Sequence, residues 1–126
     1  MSEQSFKIFV VEDDEWYRKL LVHTLGLNPD HSVKAFSDGE SMLSELNKNK
    51  PQLITLDFRL PDYNGSELFD KIKAVDSSIE VIIISEQQDI ETAIDILKKG
   101  AYDYLTESGE TRDRLIHVPS QMVKNK

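Results

Sequence analysis

The sequence contains no cysteine, which excludes disulfides and thiolate metal sites, and its three histidines, His23, His31 and His117, are scattered without ligand spacing. Nor does it carry an excess of basic charge: 15 Lys and Arg stand against 23 Asp and Glu, a formal charge of -8. Such a chain repels nucleic-acid phosphates and the anionic face of a bilayer, so neither direct nucleic-acid binding nor membrane binding is expected. Long apolar runs are missing as well. The longest aliphatic stretch is Val81 to Ile84, and Met1-Ser2-Glu3-Gln4-Ser5 has neither the basic nor the apolar region of a leader. A cytoplasmic location is the expectation. Internal repeats and low-complexity segments are absent.

What remains is a chain of 126 residues, enough for one domain with its own core. Short runs rich in β-branched or aromatic residues recur at Phe6 to Val11, Val33 to Phe36, Leu53 to Leu56, Val81 to Ile84 and Tyr102 to Leu105, and read as five strands. Helical spacing fills the intervals: Tyr17, Leu20, Leu21 and Leu25; Met42, Leu43 and Leu46; Leu68, Ile72 and Val75; Ile90, Ala93, Ile94 and Leu97. Ser37-Asp38-Gly39-Glu40 and Asn64-Gly65-Ser66-Glu67 have the form of capping boxes, and Lys98-Lys99-Gly100 that of a cationic last turn with a C′ glycine. A last helix is expected from Thr111, bent or ended near Pro119, whose ring removes a helical hydrogen bond. Near-continuous apolar strands separated by single helices predict an α/β fold, a parallel sheet covered on both faces, with any site at the carboxyl ends of its strands.

Two places there carry acids. The first strand runs into Glu12-Asp13-Asp14-Glu15, which could simply cap the next helix. Asp57, however, ends the apolar run Leu53-Ile54-Thr55-Leu56, where an ionised carboxylate needs a partner. If the first and third strands are neighbours, Glu12, Asp13 and Asp57 converge, and a hard cation, Mg²⁺, is the natural counter-charge.

These residues make the chain resemble a response-regulator receiver domain of two-component signalling: Val10-Val11-Glu12-Asp13-Asp14, Leu56-Asp57-Phe58-Arg59-Leu60-Pro61 with Gly65, Ile84-Ser85, and Gly100-Ala101-Tyr102-Asp103-Tyr104. The resemblance implies a flavodoxin-like doubly wound five-stranded sheet of order 2-1-3-4-5 with five helices. It implies Asp57 as phosphoacceptor, with Asp13 and Asp57 as direct Mg²⁺ ligands, Glu12 as a ligand through water and Arg59 as one through its backbone carbonyl. It implies Ser85 on the phosphoryl group, and Ser85 with Tyr104 as the switch pair. The donor would be a sensor histidine kinase or phosphotransfer protein, and the domain a signalling module, not an enzyme. Residues 1–122 would form the receiver and 123–126 a linker stub to an output domain of the DNA-binding kind, with homodimerisation through helix 4, strand 5 and helix 5.

Two positions depart from that family pattern. The lysine that ends strand 5, normally followed by proline, is replaced by Glu107-Ser108, and the small residue after the strand-4 hydroxyl is replaced by Glu86. Both add charge or bulk beside a site that must accept a dianion, so phosphate receipt is expected to be impaired, unless Glu107 turns into solvent and Lys98 or Arg112 supplies the missing charge. An alternative is a phosphorylation-independent pseudo-receiver that works as an interaction module. A Mg²⁺-dependent aspartyl phosphohydrolase would need a second acid that Asp57-Phe58-Arg59 lacks, and an FMN binder would find its phosphate repelled by Glu12 to Glu15.

Overall fold

The computed structural model describes residues 5–86, 90–107, 111, 113–115 and 117. Strand and helix alternate along them: β1 (Phe6–Val11), α1 (Glu15–Leu25), β2 (His31–Phe36), α2 (Gly39–Leu46), β3 (Leu53–Asp57), α3 (Gly65–Val75), β4 (Glu80–Ser85), α4 (Ile90–Lys98) and β5 (Asp103–Thr106). The described residues of 111–117 are helical and form α5. All strands pair in parallel, in the order β2-β1-β3-β4-β5. This is the flavodoxin-like, doubly wound sheet.

Alternation along the strands sends apolar side chains to both faces, as a sheet covered on two sides requires. On one face Phe9, Val11, Ile54, Leu56, Val81 and Ile83 pack with Met42 and Leu46 of α2 and Leu68, Phe69 and Ile72 of α3. On the other, Ile8, Val10, Leu53, Ile82 and Ile84 pack with Tyr17, Leu21 and Leu25 of α1 and Leu115 of α5. Each of these aliphatic side chains contributes roughly 1.5–3 kcal/mol by leaving water.

The helix starts are set by polar side chains. Asp14 accepts from Tyr17 N–H at 2.8 Å, and Asn64 forms a reciprocal box with Glu67. The box expected at Ser37 is corrected: Asp38 is the N-cap of α2, accepting from Ser41 N–H at 2.8 Å, while Glu40 accepts from the Tyr63 hydroxyl instead of reaching back. The first amides of α2 are taken by a residue from another loop, since Asp62 accepts from Gly39 and Glu40 N–H at 3.0 and 2.9 Å.

At the end of α4, Gly100 has φ 116°, its N–H donates to Leu97 O, and Ala101 N–H donates to Ile96 O, the Schellman arrangement expected of a C′ glycine. Of the helically spaced residues Ile90, Ala93, Ile94 and Leu97, Ala93 is half-buried while Ile90, Ile94 and Leu97 are 65%, 46% and 41% exposed, and Ile96 is the buried residue of the helix. Lys99, just past α4, reaches α3, pairing with Asp70 at 2.9 Å and donating to Ser66 Oγ at 2.9 Å. The bend expected near Pro119 lies outside the described residues.

Candidate functional site

Adjacent parallel strands β1 and β3, in register from Ile8↔Leu53 to Val11↔Leu56, deliver their next residues to one spot at the carboxyl edge of the sheet. There the carboxylates of Glu12, Asp13 and Asp57 offer oxygens that all lie within 4.8 Å of one another. The neighbouring Asp14 and Glu15 are spent otherwise: Asp14 caps α1, and Glu15 pairs with Lys19 at 3.1 Å on the surface. Capping therefore accounts for part of the acidic run and convergence on Asp57 for the rest.

The backbones of the acids are tied down by groups around them. Arg18, one turn into α1, donates from Nη1 to Glu12 O at 2.9 Å and to Asp13 O at 3.4 Å. Asp57 Oδ1 accepts from Arg59 N–H at 3.3 Å, and Glu12 Oε2 accepts from Asp14 N–H at 3.1 Å. The loop after β3 folds back on itself, with Gly65 N–H donating to Phe58 O at 2.6 Å and Leu60 N–H to Tyr63 O at 3.1 Å. A Cβ on Gly65 would lie 2.6 Å from the Phe58 ring and 3.1 Å from Phe58 Cα, so glycine is what lets this loop close.

Electrostatically the cluster is unbalanced. Burial, and then the facing Asp57 carboxylate, pushes Glu12 up to about 9, and burial followed by the Asp13 carboxyl pushes Asp57 up to about 7. Glu12 is only 2% exposed, and its Oε1 finds no hydrogen-bond donor; what it faces is a second carboxylate, with which it can share one proton. A buried carboxylate oxygen without a donor, in a set of three oxygen ligands, fits a hard divalent cation with oxygen coordination.

Asp13, Asp57, Arg59, Ser85 and Glu86 line a single open pocket over this cluster. Ser85, the last residue of β4, is buried, and Phe58 N–H donates to Ile84 O at 3.1 Å, which holds the β3 and β4 ends together. Glu107 donates its N–H to Ser85 O at 3.0 Å, is half-buried, and is raised by burial and then by the charges of Glu86, Asp14 and Asp13. The carboxylate thus belongs to the acidic surroundings of the pocket. Lys98 is exposed at the end of α4, and Arg112 lies outside the described residues. Tyr104 is half-buried on β5 with its ring 6.4 Å from that of Phe58, and it is not among the residues lining the pocket.

The sequence reading missed Arg18, Asp62 and the tight seat of Gly39, whose added Cβ would meet the Tyr63 ring at 2.6 Å. Arg18 had a local signal, a cation one turn after the acids. Asp62 had none, because it acts on amides 23 and 22 residues away.

Fold and site together define a class: a doubly wound α/β domain with an acid-lined pocket at the carboxyl edge of its central strands. A family model for the response regulator receiver domain matches residues 8–118, and the chain belongs to that family, the receiver domains of two-component response regulators. It is 30% identical over 109 residues to the C4-dicarboxylate transport transcriptional regulatory protein DctD of Rhizobium meliloti (strain 1021), covering 86% of this chain and 23% of the relative. It is 31% identical over 119 residues to the nitrogen assimilation regulatory protein NtrX of Azorhizobium caulinodans, covering 93% of this chain and 26% of the relative. Among solved structures, the BeF3-activated DrrB receiver domain superposes with a TM-score of 0.85 at 28% identity, covering 95% of this chain and 98% of that one. NtrX from Brucella abortus in complex with ADP gives 0.85 at 31% identity, covering 96% of this chain and 27% of that one. The chain spans 23%, 21% and 46% of the length of three curated relatives, DctD, NtrC of Proteus hauseri and TodT of Pseudomonas putida. Receiver domains are signalling domains, and the family typically binds Mg²⁺ at an acidic cluster of the kind found here. Among the described residues no helix is long and apolar enough to cross a membrane.

Proposed function

We propose that this receiver takes a phosphoryl group on Asp57 from a phosphohistidine of a sensor kinase or phosphotransfer protein, in a Mg²⁺-dependent step. The observation that carries the reading is the meeting of the Glu12, Asp13 and Asp57 carboxylates within 4.8 Å beside Ser85. An Asp57 oxygen forms the new O–P bond as the P–N bond of the donor breaks, and the unprotonated carboxylate is the competent form. Asp13 and Asp57 would hold the ion directly, Glu12 through water and Arg59 through its carbonyl. When bound, the ion supplies counter-charge to the acids and to the incoming phosphoryl oxygens. The Ser85 hydroxyl then donates to a phosphoryl oxygen, and Tyr104, packed against Phe58, answers the movement of that strand end.

Transfer is slow in this reading, because Glu86 and Glu107 set two further negative charges where a dianion must arrive. Residues 1–122 act as the receiver unit and 123–126 lead toward an output domain. DctD is named a transcriptional regulatory protein and NtrC a DNA-binding transcriptional regulator, which favours an output of that kind. The apolar residues left exposed on α4, Ile90, Ile94 and Leu97, favour homodimerisation or output contact through α4, β5 and α5.

The test is intact-protein mass spectrometry after incubation with acetyl phosphate and Mg²⁺. One phosphoryl adduct per chain is expected, lost in Asp57→Asn. No adduct from acetyl phosphate or from phosphorylated kinase would leave the pseudo-receiver reading in its place.

A further inference from the structure

Two carboxylates near the pocket take no part in the inner cluster of three. Glu86 lines the pocket beside Asp13, Asp57 and Ser85. The backbone of Glu107, just past β5 and one strand outward from β4, is held by its N–H bond to Ser85 O at 3.0 Å, and its carboxyl group feels the charges of Glu86, Asp14 and Asp13. Among the described residues the ion pairs are Lys19–Glu15, Lys34–Glu45, Lys99–Asp70 and Arg114–Asp103, and none ends on Glu12, Asp13, Asp57, Glu86 or Glu107. Acids gathered at a surface are ordinarily balanced by solvent alone. In the inner cluster one acid is not at the surface: Glu12 is 2% exposed, its carboxyl group lies against that of Asp57, and its Oε1 lacks a donor. That oxygen asks for a cation among the three carboxylates, within the field of Glu107, whose charge acts on Glu12.

Resting on the metal reading above, we infer that Glu107 and Glu86 are a cation-recruiting pair, which draws a divalent ion to the Glu12, Asp13 and Asp57 site and tightens its hold there. Mg²⁺ and Mn²⁺ keep several of their waters when bound, and those waters are donors that an outer carboxylate accepts. Affinity for hard cations also rises with the negative charge around the site. A neutralising ammonium built into the chain would work at any ion concentration. A pair of carboxylates cannot neutralise the pocket itself, so it makes the neutral state depend on an ion being present. The domain then reads the divalent concentration as well as the phosphoryl donor.

The experiment titrates the 126-residue chain with Mn²⁺ at fixed ionic strength, following water-proton relaxation and the melting temperature. Wild type is compared with Glu107→Gln, Glu86→Gln, Glu107→Lys and Asp13→Asn. Each single Gln variant is expected to weaken Mn²⁺ binding about three- to tenfold, the size of one screened unit charge near a divalent ion, and Glu107→Lys more. Asp13→Asn should lose specific binding. Metal-free melts check the fold, and Glu107→Gln should melt no lower than wild type, since it removes a repulsion. If Glu107→Gln and Glu86→Gln bind Mn²⁺ like wild type while Asp13→Asn does not bind, the metal site stands and the recruiting pair is wrong. If wild type itself does not bind, the metal reading and this inference fall together.

Discussion

Gly65 and Phe58 sit so close that the first carbon of any side chain on Gly65 would stand 2.6 Å from the Phe58 ring and 3.1 Å from its Cα. Phe58 follows Asp57 directly, so pressure on one is passed to the other. The ring can turn aside, but the backbone atom cannot move without Asp57. Gly65→Ala should cost ~1–3 kcal/mol of stability by overpacking, read by urea denaturation, and should reduce the phosphoryl adduct on Asp57. Wild-type stability and yield in the variant would mean that the loop has slack.

The raised acids give the metal-free domain an inverted pH response. Glu12 is held at about 9 and Asp57 at about 7 in the fold, both above their ordinary range, so from the ordinary carboxylate values up to these raised ones the folded state binds more protons than the unfolded chain. Stability therefore falls as pH rises. Acids with lowered values, such as Asp38, held down by its Ser41 hydrogen bonds, and Asp76, held down by Ser78, act the other way but titrate below the ordinary carboxylate range. In EDTA the melting temperature should decline from about pH 5.5 to 8, less so in Glu12→Gln, and Mg²⁺ should restore most at the alkaline end. A flat or rising profile in EDTA would contradict the burial of an unbalanced acid pair.

Charge at the pocket mouth should set the rate of phosphoryl transfer. Exchanging Glu107 for lysine reverses one charge near the incoming group, and after screening by solvent and ion we expect ~1–3 kcal/mol, or roughly ten- to hundredfold faster transfer to Asp57. Glu107→Lys should show this with acetyl phosphate at saturating Mg²⁺, where its weaker hold on the ion no longer limits transfer, and adding Glu86→Ala should raise it further by opening the approach. Unchanged yields in both variants, with the fold intact, would mean that neither carboxylate controls transfer.

Asp62 offers a test of stability away from the chemistry. Its carboxylate takes two of the first amides of α2, at 3.0 and 2.9 Å, and places negative charge at a helix start. Asp62→Ala should cost about 1–2 kcal/mol in urea denaturation, and Asp62→Asn less than Asp62→Ala. Equal stability of all three proteins would mean that water replaces the cap at no cost.

The parallel sheet was legible in the sequence because its central strands are buried on both faces. Leu53-Ile54-Thr55-Leu56 and Val81 to Ile84 admit no other reading once single helices separate them, and their residues are buried accordingly. Strand ends were less clear: β2 begins at His31 and β5 runs Asp103–Thr106, since edge strands are held by pairing more than by composition. Which side of α4 is covered was not legible, because Ile90, Ala93, Ile94 and Leu97 carry the helical spacing while the buried residue is Ile96, off that stripe. At the site, Asp57 announced itself by its cost in an apolar run. Glu107 was expected beside the acids from the resemblance, and what spacing along the chain does not encode is the β4 and β5 pairing that sets its backbone against Ser85.

The union of β1 and β3 also bears on how the molecule comes together. Glu12 and Asp57 belong to strands separated by a helix, a strand and a second helix, and these two strands must close side by side to complete the centre of the sheet. That step brings together two groups that are ionised in the open chain, so a proton or a cation must be taken up while apolar surface is being covered, and the pocket taxes the chain before it serves it. Divalent cations, by screening the approach, should hasten refolding as well as stabilise the product, and a chain with Glu12 and Asp57 both made neutral should fold faster than the natural one.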